Sequence, residues 1–158
     1  MANGFSNPPP VFCLRYTKSS PNYIYKEEVI MNYLVLLGRL LYVLIFLMAG
    51  PGHFSAGTIA YAAAKGVPMA SIAVPLSGLI AILGGLSILL GYKARYGAWL
   101  IVLFLVPVSY QMHDFWNVAD PMAKMTQQIM FMKNMSMLGA ALMITHLGSG
   151  PLSLDNRK

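Results

Sequence analysis

Four long apolar stretches dominate this chain, at roughly 32–50, 70–91, 96–112 and 125–147. A helix rising about 1.5 Å per residue needs about 20 mostly apolar residues to cross the hydrocarbon core of a bilayer. Inside lipid no water satisfies backbone polar groups, so such stretches must close their own hydrogen bonds as helices. Composition supports this: hydrophobic residues make up 57% and charged residues 10%, against about 25% charged residues in an ordinary soluble domain. The sequence therefore predicts an all-α membrane protein, a four-transmembrane-helix bundle.

The breaks between the stretches define the remaining organisation. Gly50-Pro51-Gly52 stops the first helix. The Ala-rich segment 55–65 that follows predicts a short interfacial helix between the first and second spans, ended by Gly66 and Pro68. The five residues 91–95 join the second and third stretches, a link so short that these helices must be antiparallel neighbours. Pro75 and Pro107 lie inside the second and third helices, where each predicts a packing kink or a carbonyl free to face a ligand. Residues 1–31, with Pro8-Pro9-Pro10 and Lys26-Glu27-Glu28, predict a polar, irregular tail without a signal-peptide pattern. Met31 directly precedes the first span, which would make this tail an optional extension. Residues 32–150 form the transmembrane domain and 151–158 a short C-terminal tail.

The net charge of +6 is scattered singly between apolar runs, which excludes a nucleic-acid-binding stripe. The basic residues read instead as topology signals. Arg15, Lys18 and Lys26 precede the first span, Lys93 and Arg95 fill the second loop, and Arg157 and Lys158 end the chain. With four spans all fall on one side, so both termini are expected in the cytoplasm. The single cysteine, Cys13, excludes an internal disulfide and a dithiol redox centre.

Small residues suggest how the helices meet. Ser77, Ala81 and Gly85 recur every four residues in the second span, with Gly78 and Gly84 beside them. Such spacing lets helix backbones approach closely in lipid.

Ionisable groups inside a membrane are costly, so each is a functional candidate. Lys133 and Asn134 lie about two turns into the fourth span. Lys133 either snorkels to the interface or faces the bundle interior, paired with Asp114. His113 and Asp114 end the third span and His53 follows the first, so the topology brings them near one membrane face. Together with Lys133 and Asn134 they form a candidate outward pocket; the alternative is a polar rim with Phe115 and Trp116 at the interface. No metal site is expected from these residues, and the late methionines read as packing residues. Arg39 reads as a residue snorkelling to the cytoplasmic face or meeting a lipid phosphate. With five acidic residues in the whole chain and no nucleotide loop, hydrolase and nucleotide-dependent classes have little support.

The order of several short pieces resembles the DoxX family of small bacterial membrane proteins. They are Gly38-Arg39-Leu40, Ala49-Gly50 with His53, Ala63-Ala64-Lys65-Gly66-Val67-Pro68, Gly78, Gly84-Gly85, Leu89-Leu90-Gly91, His113-Asp114-Phe115-Trp116 and Lys133-Asn134. The resemblance spans about 34–154. It implies a four-helix bundle in the bacterial inner membrane and an accessory role in a quinone-linked redox system, with a quinone as the candidate cofactor. Relatives of this kind are described as the small subunit of a thiosulfate:quinone oxidoreductase or as parts of membrane redox complexes. The family usually carries an acidic residue in the second span where this chain has Ala81. That departure favours the alternatives of a non-catalytic scaffold or assembly subunit, or a small-solute transporter. Expected partners are membrane lipid, a membrane or soluble redox protein, and a second copy of the chain.

Overall fold

The computed structural model describes residues 21–157. They form five α-helices and, among the described residues, no strand. The helices are α1 (Pro21–Ala49), α2 (Ala56–Ala64), α3 (Ala70–Leu90), α4 (Ala94–Met112) and α5 (Pro121–Leu147). Short 3₁₀ turns cover Gly50–Phe54, Phe115–Asn117 and Leu154–Asn156. Residues 1–20 of the expected tail lie outside the described residues. From Pro21 the chain is already helical, so α1 begins well ahead of the predicted span.

Helices α1, α3 and α4 are long and apolar enough to cross a membrane, which makes this an integral membrane protein. The fourth predicted span, α5, has the length, at 27 residues. It falls short in apolarity because Lys124, Thr126, Gln127, Gln128, Lys133 and Asn134 crowd its first half. Its start at Pro121 follows from local chemistry. The Asp120 carboxylate accepts from Ala123 N at 2.7 Å, and Pro121 occupies the first helical position, where its missing N–H costs nothing.

Helices α3 and α4 form the central hairpin. Gly91 takes a left-handed conformation, with Gly91 N donating to Ile88 O and Tyr92 N to Ser87 O at 3.2 and 3.0 Å. This is a Schellman close, which satisfies the last carbonyls of α3. The α3 and α4 backbones touch through glycines. A Cβ on Gly84 would lie 2.9 Å from Gly97 O, and one on Gly97 would lie 2.9 Å from Gly84 O. The predicted small-residue stripe is thus divided among three partners. Gly84 faces α4, Gly85 faces Leu47 of α1, and Gly78 faces the Gly50–Phe54 turn. Ser77 is only half-buried, its hydroxyl donating to Val74 O at 2.7 Å. The helices of the hairpin run uninterrupted through Pro75 and Pro107.

Against this hairpin α1 packs on α3 and α5 on α4. The core draws on all four long helices, with Val43 and Phe46 from α1, Ala81 and Ile88 from α3, Ile101 and Leu105 from α4, and Ala141 from α5. The Tyr42 hydroxyl donates to Met137 O at 2.9 Å, joining α1 to α5.

The C-terminal residues do not hang free as a tail. Arg39, 6% exposed, donates from Nη2 to Pro151 O and Leu152 O at 2.9 and 2.7 Å. Its Nε and Nη1 are buried without a partner among the described residues. Asp155 accepts from Lys93 N at 2.9 Å, so it caps the start of α4, while its own N–H donates to Gly91 O at 3.1 Å. The sequence had Arg39 snorkelling to the cytoplasmic face or meeting a lipid phosphate, because nothing local announces carbonyls more than a hundred residues away.

Gly84→Ala should lower the thermal unfolding temperature in mild detergent, because the new Cβ meets backbone that cannot swing aside. Gly139→Ala, whose Cβ would meet nothing within 4 Å, should not. Equal stability of the two variants would contradict the backbone contact.

Candidate functional site

His53 is carried into the bundle by glycines on both sides. The Gly50–Phe54 turn lies so close to α3 that a Cβ on Gly78 would sit 2.6 Å from the His53 Cβ and 2.8 Å from Gly50 O. The ring meets Phe104 edge-on with centroids 5.6 Å apart. Its Nδ1 is 3.1 Å from Ala49 O. A carbonyl can only accept, so Nδ1 carries the proton and Nε2 of the neutral ring is an acceptor.

His113 terminates α4, and its Nδ1 lies 2.8 Å from Gln127 Oε1 on α5. Seven residues beyond Gln127, or about two helical turns, stands Asn134. It is 9% exposed and has no hydrogen-bond partner among the described residues. Ala141, a further seven residues on, is fully buried. The series Gln127, Asn134, Ala141 therefore marks the inward stripe of α5. The Asn134 amide is not sealed in the way that Arg39 Nε and Nη1 are; it opens on a cavity, where a ligand or water can reach it.

These three polar groups line one cavity of about 270 Å³ between α1, α4 and α5. Its other walls are apolar, including Phe46, Ala81, Leu105 and Met137. The lining contains no carboxylate. Among the described residues no three His, Cys, Asp or Glu side chains gather as a metal-binding set.

Two of the five residues expected in the pocket lie elsewhere. Lys133 is on the exposed side of α5, its Nζ 3.5 Å from Met130 Sδ. Successive helical residues are separated by about 100° around the axis, so Asn134 facing inward turns Lys133 outward. Asp114 does not pair with Lys133. Its Oδ1 lies 2.8 Å from Lys65 Nζ, and its Oδ2 accepts from Asn117 at 3.3 Å. The hydrogen bond to Asp114 holds the Lys65 ammonium above its ordinary range, with burial opposing. Lys65 O also accepts from Gln111 at 3.4 Å, so the end of α2 is tied to the end of α4.

Several contributors were not anticipated: Tyr61 at the cavity, Gln127 as the partner of His113, and Lys65 at the ion pair. The inward stripe of α5 offered a signal for Gln127, since it precedes Asn134 by seven residues. The partner of Lys65 depends on where two loops meet, which local sequence does not encode.

Breaking the pair should loosen α2 without unfolding the bundle. Asp114→Asn and Lys65→Met should each raise amide exchange in α2. Each should cost about 1 kcal/mol or less, as for a partly exposed pair. The lysine's raised pKa fixes the sign: this stabilisation is complete at neutral pH and is lost as pH rises through the folded value. Additive effects in the double mutant would refute a direct pairing.

The comparisons agree with this architecture. The DoxX family model matches residues 34–114, which covers α2, α3, α4 and most of α1. The inner membrane protein YphA of Escherichia coli (strain K12) is 31% identical over 126 residues, covering 78% of this chain and 89% of the relative. No solved structure matches. With the glycine-lined hairpin, His53 and His113 all inside or bounding the matched region, the chain belongs to the DoxX family.

Proposed function

We propose that this protein is an accessory subunit of a quinone-linked redox system in the bacterial inner membrane. Its own contribution is the cavity bounded by His53, His113 and Asn134. The observation that carries this reading is the Asn134 amide, on a side chain only 9% exposed, which opens on largely apolar walls and makes no hydrogen bond to the described residues.

A quinone ring fits such a place. It has flat apolar faces for Phe46, Leu105 and Met137, and polar oxygens at its edge for Asn134 and His53. When bound, a quinone supplies two-electron, two-proton redox chemistry. The chain supplies the rest. The Asn134 amide offers both donor and acceptor, while His53 Nε2 accepts. Ala81, where the family resemblance leads one to expect a carboxylate, lines the same cavity. The lack of a carboxylate there also favours a second reading, in which the subunit holds or assembles a partner without moving protons itself.

The proposed topology has four spans with both termini in the cytoplasm, and α5 as the fourth. Lys26, Arg39, Lys93, Arg95 and Arg157 outnumber Glu27, Glu28 and Asp155 at one end of the bundle. At the other end Lys65 and Lys124 are balanced by Asp114 and Asp120. The basic end belongs in the cytoplasm, which turns the end carrying His113 outward. In a Cys13→Ser background, Tyr92→Cys should resist an impermeant thiol reagent added to intact cells. Ready labelling from outside would overturn this orientation.

The pocket reading is tested by equilibrium binding of a decyl-substituted benzoquinone to the detergent-purified protein. Asn134→Leu should weaken binding about tenfold or more, as for loss of a buried hydrogen-bond partner, with the unfolding temperature preserved. Lys133→Met should bind as the wild type. Wild-type binding by Asn134→Leu would remove the basis of the proposal.

A further inference from the structure

A second cavity, of about 330 Å³, lies beneath α2 between α3 and α4. It shares His53, Val108 and Met112 with the cavity described above, so the two adjoin along a common wall. Their chemistry differs. In the first, Asn134 is without a partner and His53 presents a free acceptor. In the second, the polar side chains other than His53 are already engaged. The Ser77 hydroxyl donates to Val74 O at 2.7 Å, Thr58 Oγ1 is 2.8 Å from Ser55 Oγ, and Gln111 donates to Lys65 O at 3.4 Å. Gln111 is engaged through its Nε2 alone, and the rest of the lining is mostly hydrocarbon, including Val67, Pro68, Ala73, Val74 and Pro107.

We infer that the two cavities are two chambers of one site for an amphipathic ligand. Its polar ring sits against Asn134 and His53, and its apolar chain runs past His53 under α2. Small-molecule sites commonly occupy roughly 300–1,000 Å³. Each chamber alone stands near or below the lower bound, and the pair lies within it. The dividing wall is thin for a local reason, since Gly78 lets His53 settle directly on the α3 backbone. The division of labour follows from burial. An alkyl chain gains by leaving water or the loosely packed bilayer boundary for a fitted apolar slot, and it needs no hydrogen bonds there. The ring needs them, and Asn134 offers its amide only in the first chamber.

This inference rests on the quinone reading, so the experiment separates the two. Two benzoquinones with the same ring, one without a tail and one with a ten-carbon tail, are titrated against the wild type and Ala73→Leu. The leucine fills part of the second chamber and leaves the first untouched. Both compounds should bind the wild type, the tailed one tighter by about tenfold or more. In Ala73→Leu that gain should vanish while the tailless compound binds as before. Measuring the tailless compound on the variant also controls for its folding. If the tailed compound keeps its advantage in the variant, or has none in the wild type, the two-chamber site is overturned and the ring site stands. If neither compound binds the wild type, the quinone reading falls, and this inference with it.

Discussion

Two helix backbones meet at Gly84 and Gly97 with no side chain between them, and the rest of the bundle is arranged around that contact. In lipid there is no hydrophobic drive between helices, so close van der Waals packing has to hold them together. The contact draws α3 and α4 into a tight hairpin, closed at one end by the left-handed Gly91. Each remaining long helix then needs only one face of the hairpin, α1 against α3 and α5 against α4. Because α1 and α5 sit on opposite flanks, they touch each other sparingly. Tyr42 reaches Met137 O, and beside this bridge the cavity is left open.

The two ends of the bundle are finished differently. At the basic end the C-terminal segment is folded down and held by Arg39 and Asp155, which joins α1 to the α3–α4 turn. At the other end α2 is laid across α3 and tied to α4 by the Lys65–Asp114 pair. One end is thus closed by the hydrogen bonds of Arg39 and Asp155 to backbone groups. The other is closed by an ion pair and an aromatic group in which Trp116 meets Tyr110, Phe115 and Phe131 with ring centroids 5.1 to 5.8 Å apart.

Much of the helical frame was legible in the sequence. The run at 70–91 becomes α3 (Ala70–Leu90), and that at 96–112 becomes α4 (Ala94–Met112), because apolar length and flanking glycines set their limits. The beginning of α5 was legible too, in Asp120-Pro121, but apolarity drew the predicted start inward to 125. The site was partly legible. His53, His113 and Asn134 could be assigned to one membrane face from topology alone. Phase, rather than depth, misled for Lys133: the step of about 100° between neighbours leaves the Asn134 amide in the interior position and Lys133 on the exposed side of α5. Asp114 was misassigned because its partner, Lys65, sits in a loop whose path depends on how α2 packs. Arg39 was misassigned for the same reason, its acceptors lying in a segment that only the fold brings near.

The central claim is that an apolar ring with polar edges occupies the space between α1, α4 and α5. Photolabelling tests it most directly. A benzoquinone carrying a diazirine on its ring would be added to inner-membrane vesicles, irradiated, and the adducts located by peptide mass spectrometry. Adducts should fall on cavity residues such as Phe46, Val108 and Met137, and should be competed away by unlabelled quinone. Adducts confined to outward-facing side chains such as Trp99 and Leu103, with no competition, would contradict it.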